Sequence, residues 1–353
     1  MGKLAVYKYF SFLFLLLTFA LAGFTLFGLF GGDVPPYGSI ARALLVYALP
    51  LFIIADFVML IYWLIRRRWH WAAVPFVTIL CCIPYMGTLF QISTQSKEAD
   101  TKNGIKVATY NVGMFGHETT GFIAQDILAE MRRQKVDVLC MQEYNDHSGA
   151  QVNSESYKDY FPYMVMGRND MIIFSRYPIT QEKTIDFQRT NNSAMWADID
   201  ANGTLFRVFN VHLQTTGINS TLHSAAQMMN QGILVDKSRI LSAIYDNYAV
   251  GIVIRSGQAE EVAAEIQKSK TPVVVCGDFN DVPYSYVYNT MLGNLVDGFK
   301  ECGHGYMHTW RGGNKRLVRI DYIFHDERMK GLDYYRTDMT YSDHFPVFMK
   351  LEF

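Results

Sequence analysis

The chain has little charge and few cysteines for its length. Of its 353 residues 18% are charged and five are cysteine, whereas half are hydrophobic. The cysteines include no CxxC pair and no Cys/His group with zinc spacing, and Cys140 and Cys276 lie in strand-like apolar runs, as small buried side chains do. A chain this apolar is neither a disordered protein nor a fibrous repeat, and its cysteines give no sign of a zinc site.

An excess of charge of one sign is also missing, because the whole chain carries −1. Residues 1–95 contain six basic and two acidic side chains, a net charge of +4, which leaves −5 for residues 96–353. A protein that binds long nucleic acid without regard to sequence normally presents a basic face to the phosphates. The acidic second part argues against such a binder. It does not exclude a nuclease, because metal-binding acids also make a site negative.

The first 95 residues are predicted to be a membrane anchor. Apolar runs cover about residues 10–30, 43–65 and 71–90, and Asp56 is the one charged residue in them. Because about 20 apolar residues cross a hydrocarbon core of ~30 Å, we expect three transmembrane helices. Asp56 either marks a relay or ligand contact, or it pairs within the helix bundle or stays protonated.

The basic residues beside these runs predict the orientation of the anchor. Lys3 and Lys8 precede the first run, and residues 66–68 are three arginines between the second and third runs. The positive-inside rule places both groups in the cytoplasm and everything after residue 90 outside it. We therefore expect a multi-pass protein of the inner or plasma membrane, with its N-terminus cytoplasmic and its larger part extracytoplasmic.

After a polar linker at residues 96–104, residues 105–353 are long enough for one large domain. Strand-like runs recur at residues 105–110, 136–142, 171–175, 205–212, 273–277, 320–325 and 345–351. Helical patterns lie between some of them, and short turns such as Asn202-Gly203 join others. This mixture favours a layered α/β sandwich over a pure βαβ arrangement.

Polar side chains interrupt these runs near the strand ends. Each has an ordinary structural explanation by itself, but carboxylates after apolar strands are costly to bury unless something charged binds them. A shared rim of the strands therefore predicts a site for a cation or for proton transfer. The residues are Asn111, Glu143, His212, Asp278, Asn280, Asp321, Asp343 and His344.

The segments TYNVG, MQE, IIFSRYPI, VHL, GDFND, RIDYIF and YSDHFPV follow one another in this order. The set resembles the endonuclease/exonuclease/phosphatase superfamily, whose fold is that of DNase I, abasic-site endonucleases, neutral sphingomyelinases and inositol polyphosphate phosphatases. The resemblance covers residues 105–353. It implies a four-layer α/β/β/α sandwich (DNase I-like) with a site at one edge of two packed sheets, and phosphoester hydrolysis that depends on Mg²⁺ or Mn²⁺.

The resemblance also implies a metal site. It makes Glu143 the principal ligand, places Asn111 close to the metal, and makes Asp343 a further ligand or an acid behind the ligands. Oxygen ligands of this kind suit Mg²⁺. Some members carry an acid two residues after the first asparagine, and Gly113 stands at that position here, which argues against a second metal.

The catalytic roles are likewise implied by the resemblance. Asp278 would orient or deprotonate the attacking water, and Asn280 would hold a phosphate oxygen. His344 would bind the phosphate and stabilise the pentacovalent state, with its other ring nitrogen held by Asp321. His212 matches a histidine near the leaving group and would act as general acid. The identity of the general base stays open.

Two segments near this set carry open predictions about the substrate. Arg168, before the strand of IIFSRYPI, either binds the substrate or belongs to a solvated turn. Residues 214–231 form a Thr-, Ser-, Asn- and Met-rich segment that is a candidate cover for the substrate, with Met228 and Met229 expected in the core.

The combined features predict a membrane-anchored, extracytoplasmic, metal-dependent phosphoester hydrolase. One substrate class is nucleic acid, for a nuclease-like phosphodiesterase, and the alternative is a phospholipid or small phosphoester, as for sphingomyelinase-like relatives. Tethering to a bilayer and the net charge of −5 favour the second, and the fold cannot choose between them. A non-catalytic membrane scaffold is the third hypothesis, against which the complete set of polar groups argues.

Overall fold

The computed structural model describes residues 3–92, 104–113, 124–144, 157–188, 190–232, 236–312, 318–339 and 341–353. The chain divides into two compact units. One consists of Met1–Thr88 and Pro283–Asn289, and the other of Leu89–Val282 and Thr290–Phe353. Most of the predicted linker, residues 96–103, lies outside the described residues.

The first unit is helical and strongly apolar. Its helices are α1 (Lys3–Leu29), α2 (Ile40–Ile65), α3 (Trp69–Cys81) and α4 (Ile83–Leu89), the last of which ends at the unit boundary. Two segments, Tyr7–Asp33 and Ile40–Ile65, are long and apolar enough to cross a membrane.

The expectation of three spans needs correction, because the third apolar run is not one helix. Helices α3 and α4 meet at a bend of 48°, and they count as a span only if the bent pair crosses as one. Pro84 gives the physical reason. Its ring lacks an amide hydrogen and clashes with the carbonyl four residues earlier, which prevents a straight helix through Cys82.

Polar contacts join α1 to α2. The Asp56 side chain is fully buried, and its Oδ2 lies 2.5 Å from the hydroxyl oxygen of Thr25. Two helical turns further along α2, Trp63 Nε1 donates to Thr18 Oγ1 at 2.8 Å. Of the two interpretations of Asp56, pairing within a helix bundle is the one that these contacts support.

The second unit is built on two six-stranded sheets. The first sheet has the order β13 (Lys330–Arg336), β14 (Val347–Glu352), β2 (Ile105–Asn111), β3 (Val138–Gln142), β5 (Ile172–Ser175) and β4 (Tyr163–Met166). The second has the order β10 (Val296–Asp297), β12 (Asp321–His325), β9 (Val273–Asp278), β8 (Thr204–His212), β7 (Ser193–Ala201) and β6 (Ile179–Asp186). A short pair, β1 (Phe90–Gln91) with β11 (Gly305–Tyr306), stands apart. The described helices after α4 are α5 (Ala124–Arg133), α6 (Ile218–Asn230), α7 (Lys237–Ile266), α8 (Tyr286–Leu292) and α9 (Gly298–Cys302).

Alternation of side chains along the strands explains the layers. In β7, Met195 and Ala197 enter a core that they share with Val107 and Cys140 of the first sheet. Trp196, between them, faces the other side, where its Nε1 lies 3.3 Å from Glu265 of α7. Helix α7 therefore covers the outer face of the second sheet.

The outer face of the first sheet is covered by α5. Ile127, Leu128 and Met131 of this helix pack in one cluster with Leu139 and Phe174 of the sheet. The unit is thus an α/β/β/α sandwich with a DNase I-like arrangement, which confirms the predicted fold class.

The two sheets bring their polar strand ends to one edge. Strands β2 and β3 run parallel, as do β8 and β9, so that each pair ends at the same side. Below this edge Gln142 Nε2 donates to Asn210 Oδ1 at 2.6 Å, and Asn210 Nδ2 donates to the backbone carbonyl of Met141 at 2.9 Å. These buried amides tie one sheet to the other directly beneath the candidate site.

Candidate active site at the edge of the sheets

Three candidate residues form one row across the second sheet. His212 is in register with Asp278 in the parallel pair of β8 and β9, and Asp278 is in register with Asp321 in the antiparallel pair of β9 and β12. Neighbouring strands lie about 4.8 Å apart, so that the three side chains of such a row stand close together. The predicted set is therefore assembled by strand register.

The first sheet contributes Asn111 and Glu143. Asn111 ends β2 and is 1% exposed, and Glu143 directly follows β3 with a left-handed φ of 54°. Asn111 Nδ2 lies 3.0 Å from Glu143 Oε1 and 3.1 Å from Asp278 Oδ2. One amide thus joins carboxylates that come from the two sheets.

The loop after β9 fixes Asp278. The Asn280 backbone amide donates to Asp278 Oδ1 at 2.8 Å, and Asn280 Nδ2 donates to the Leu213 carbonyl at 2.9 Å. Gly277 has a φ of 139°, and a Cβ there would lie 1.9 Å from the Val211 carbonyl oxygen, so only glycine fits. Burial raises the pKa of Asp278 to about 6, although His344 acts in the opposite direction.

His344 is held by Asp321 on one side and faces Asp278 on the other. Its Nδ1 lies 3.0 Å from Asp321 Oδ2, and its Nε2 lies 3.7 Å from Asp278 Oδ2. Burial by itself lowers the pKa of His344, but Asp321 and Asp278 outweigh it and raise that pKa to about 10. Both ring nitrogens of His344 thus lie beside carboxylates, which favour the protonated ring. The Thr309 hydroxyl, which accepts the Asp321 backbone amide at 3.0 Å, fixes the start of β12.

His212 faces the same carboxylates from the other side. Its Nε2 lies 3.6 Å from Glu143 Oε1 and 4.0 Å from Asp278 Oδ2, and its side chain is 9% exposed. Within the described part of the chain, the buried Nδ1 of His212 has no hydrogen-bond partner. One ring nitrogen of His212 therefore faces the acids, and the other has no partner among the residues that the structure describes.

Asp343 stands at the open side of the site. Its side chain is 56% exposed, its Oδ1 lies 4.0 Å from His344 Nε2, and its Oδ2 accepts Trp310 Nε1 at 3.0 Å. Trp310 and Arg311 also hold the backbone, because the Arg311 amide donates to the Asp343 carbonyl at 2.8 Å. Asp343 is thus accessible from solvent and oriented by an indole.

Arg168 does not join this cluster through its guanidinium. That group pairs with the Asp186 carboxylate, and the Arg168 side chain is 68% exposed. Its backbone carbonyl accepts the Ser193 hydroxyl at 2.6 Å, and Ser193 is in register with His212. The Arg168 backbone therefore lies beside the site's strands while its charge is bound elsewhere.

Whether the site can hold a metal ion depends on the ligand atoms that its side chains offer. Among the described residues, the one group of three His, Cys, Asp or Glu side chains with mutually close ligand atoms is Asp278, Asp321 and His344. Asn111 and Glu143 offer the oxygens that Mg²⁺ and Mn²⁺ prefer, and Glu143 remains 35% exposed. Asn111 Oδ1 accepts the Gly113 backbone amide at 3.0 Å while its Nδ2 donates to Glu143 and Asp278, so the side chain holds these two carboxylates at one place, where a cation would bind.

A layer of buried polar residues behind the site was not found from the sequence. Arg255 of α7 pairs with Asp281, Nη1 to Oδ2 at 3.1 Å, and its Nε donates to the Gln214 carbonyl at 2.6 Å. Gln258 accepts the Gln214 amide at 2.8 Å. Helix α7 thus holds the chain that follows His212 together with the chain that follows Asp278. The one available signal was Arg255 itself, a single charge in the apolar run GIVIRSG.

Comparison with known proteins adds a family and a fold. A profile described as the Endonuclease/Exonuclease/phosphatase family matches residues 108–344, and a domain of unknown function matches residues 11–89. No curated protein matches the chain.

Several solved structures share the fold at low identity. An endonuclease/exonuclease/phosphatase from Bacteroides vulgatus has a TM-score of 0.51 at 17% identity, covering 71% of this chain and 99% of that one. The catalytic domain of human Nocturnin, solved with a bound sulfate anion, has a TM-score of 0.50 at 17% identity, covering 71% of this chain and 94% of that one. A humanised TDP2 of D. rerio has a TM-score of 0.51 at 15% identity, covering 70% and 99%.

Proposed function

This chain belongs to the endonuclease/exonuclease/phosphatase family, and on that premise we propose that it is a phosphoester hydrolase that depends on a divalent metal ion. The observation that carries the proposal is the contact of Asn111 with carboxylates from both sheets, Glu143 and Asp278, beside the imidazolium of His344. Such a mixed cluster offers ligands for a cation and donors for a phosphate at one place.

The metal site of this proposal consists of Glu143, Asn111 and Asp343, and the ion is Mg²⁺ or Mn²⁺. A bound divalent ion would polarise the phosphoryl group and neutralise part of its charge. Glu143 and Asp343 are the two carboxylates of the site that remain partly exposed, at 35% and 56%. Ligands open to solvent suit Mg²⁺, which keeps several of its waters.

His344 and Asn280 bind the phosphate. His344 is a cation at neutral pH because Asp321 and Asp278 raise its pKa to about 10. Its Nε2–H is therefore available to an oxyanion that gains charge in the transition state, and Asp321 keeps the ring in place. Asn280 lies at the same edge, where its Nδ2 donates to the Leu213 carbonyl and to Asp278 Oδ2, so a phosphate oxygen would take the place of one of these acceptors.

Asp278 and His212 handle protons in this mechanism. Asp278 orients or deprotonates the attacking water, and burial supports this role by raising its pKa to about 6, close to neutral pH. His212 serves the leaving-group side as general acid through one of its ring nitrogens. Arg168 stays a candidate substrate contact, but its guanidinium would first have to break its ion pair with Asp186.

The anchor and its orientation form part of the proposal. Residues 1–95 anchor the chain, residues 96–104 link it, and residues 105–353 carry the activity on the extracytoplasmic side. Support comes from the two apolar helical segments, from the bent pair α3–α4 and from the basic residues that flank the apolar runs. A reporter fused to the C-terminus and active only in the cytoplasm would contradict the orientation.

The test of the chemistry is turnover of bis-p-nitrophenyl phosphate by the full chain in detergent micelles, with Mg²⁺, Mn²⁺ or EDTA. Asp278→Asn should lose activity, whereas Asp326→Asn is the matched control, because Asp326 follows the other end of β12 and pairs with exposed Arg328. Absence of metal-dependent turnover in the unaltered chain would favour the scaffold hypothesis.

The substrate class is proposed as a phosphodiester, in nucleic acid or in a phospholipid or other small phosphoester. Plasmid DNA and sphingomyelin in the same assay separate the two classes. A nuclease should also bind DNA with an affinity that falls steeply as salt rises, because phosphate contacts release counterions.

A further inference from the structure

Helix α6 and the first half of α7, residues Lys237–Val250, leave large apolar side chains in water. We call these two segments the helical hairpin. Within the described part of the second unit, eight of the fifteen exposed large apolar residues lie on α6 and α7. Six of them lie on the helical hairpin: Leu222, Met228, Met229, Leu241, Tyr245 and Val250, which are 40% to 67% exposed.

The exposure of these side chains contradicts an expectation from the sequence. Met228 and Met229 were expected in the core, and they are 46% and 62% exposed. Scattered single apolar residues on a surface need no explanation, but a concentration on one element marks a contact site.

The hairpin is attached to the active site by buried contacts at its base. The Gln214 backbone, two residues after His212, is held by Arg255 and Gln258 of α7 at 2.6 Å and 2.8 Å. Gly251 of α7 packs so closely on this loop that a Cβ there would lie 2.8 Å from Thr216 Cα. The base of the hairpin is therefore fixed at the strand end that carries His212, and Leu241 lies ten residues further along α7 from Gly251, about 15 Å away at 1.5 Å per residue.

The charges at the tip suit a phospholipid surface. Lys237 and Arg239 open α7 and are both exposed; Asp236, which precedes them, lies 3.9 Å from Arg239 Nε through its Oδ2, so one positive charge is in excess at this helix start. Leu241 and Tyr245 follow on the same stretch. Helices that lie in a membrane interface combine cations for lipid phosphates with leucine, methionine and aromatic side chains for the acyl boundary. The chain also brings a bilayer with it, through the two segments apolar enough to cross one.

We propose that the helical hairpin is a lipid-contact surface, and that the site beside it acts on phosphoesters presented at a phospholipid bilayer. The inference rests on the proposed function and names its substrate class. Tethering by the anchor raises the effective concentration of lipid, so that a modest surface suffices for binding.

The surface is tested by fluorescence of the full chain reconstituted in phosphatidylcholine and phosphatidylglycerol vesicles. With Cys81→Ser and Cys302→Ser as background, the environment-sensitive fluorophore NBD is attached at Met229→Cys or Leu241→Cys. Emission from both positions should shift to the blue and be quenched by lipids that carry a doxyl group on the acyl chain. The matched control is Glu182→Cys, an exposed polar position of β6, which should show neither change.

Other occupants of the hairpin give different results, and each overturns the proposal. Emission typical of water at 229 and 241 means that no partner covers the hairpin. A blue shift without quenching by doxyl lipid means a protein occupant, which cross-linking identifies as a second copy when only one chain is present.

Activity tests the substrate class and separates its failure from failure of the proposed function. The double variant Leu241→Ser with Tyr245→Ser should lose about tenfold or more in turnover of vesicle phospholipid, the effect of one large apolar side chain no longer leaving water. Turnover of bis-p-nitrophenyl phosphate should stay unchanged. The substrate class is refuted if the unaltered chain and the double variant turn over lipid equally. It is also refuted if the unaltered chain turns over the soluble diester but no lipid. If the unaltered chain hydrolyses neither substrate, the proposed function is refuted. The fluorescence experiment still tests whether the hairpin contacts lipid.

Discussion

The buried ion pair between Arg255 and Asp281 offers a direct test of how the active site is held. Both side chains are at most 1% exposed, and Nη1 lies 3.1 Å from Oδ2. Arg255→Met leaves the Asp281 carboxylate buried without this partner, and breaking such a pair costs about 3–5 kcal/mol. At roughly 2–4 °C per kcal/mol for a unit of this size, its apparent melting temperature should fall by about 10 °C.

The activity of Arg255→Met should fall by more than its loss of folding stability explains. Arg255 also holds the Gln214 carbonyl, so the substitution frees the loops that follow His212 and Asp278 at the same time. A displacement of about 1 Å at reacting groups costs about a hundredfold in rate. We expect this loss in kcat at temperatures where the variant is still folded, with little change in KM for a small diester.

The assay combines thermal denaturation followed by tryptophan fluorescence with steady-state kinetics below the transition. Lys183→Met is the matched control, because it breaks a pair with Glu265 of the same helix α7 while the Lys183 side chain is 50% exposed. Exposed pairs contribute about 1 kcal/mol or less. Equal melting temperatures for the two variants, or unaltered kcat in Arg255→Met, would refute the role given to the buried pair.

Three further predictions concern the metal, pH and backbone of the site. Mg²⁺ at a hundredfold excess over its Kd should stabilise the chain by about 2.7 kcal/mol, and Glu143→Gln should abolish this shift in melting temperature. Because the folded-state pKa of His344 is raised to about 10, its pair with Asp321 stabilises the fold fully below pH 6.5 and loses that effect as pH rises through 10. The difference in unfolding free energy between the unaltered chain and Asp321→Asn should therefore shrink over that range, and a constant difference would contradict the pair. Gly277→Ala should prevent folding of the second unit, because a Cβ would lie 1.9 Å from the Val211 carbonyl, and a cooperative melt near that of the unaltered chain would exclude this clash.

Much of the fold could be predicted because its signals are local. Alternating apolar residues such as Met195 and Ala197 already indicate which face of β7 enters the core. Long apolar runs likewise indicate membrane helices, but their number depends on backbone geometry. The third apolar run bends by 48° near Pro84. The apolar composition of the run does not indicate this bend.

The candidate site was predictable in its members and not in its contacts. Asp278, His212 and Asp321 each stand out as a polar residue at the end of an apolar strand. Strand register alone places them in one row, and the packing of two sheets alone brings Asn111 within 3.1 Å of Asp278. Residues far apart in sequence carry no local trace of such pairing.

The sequence by itself therefore determined the kind of residues available, the strand ends on which they stand and the apolar character of the first unit. Tertiary structure decided which charges meet, and charge pairs depend on distance and burial. It bound Arg168 to Asp186, set His344 between Asp321 and Asp278, and placed Arg255 behind the site. It also left Met229 exposed. The sequence could not predict this, because an apolar helix face indicates that something covers it but not which partner does so.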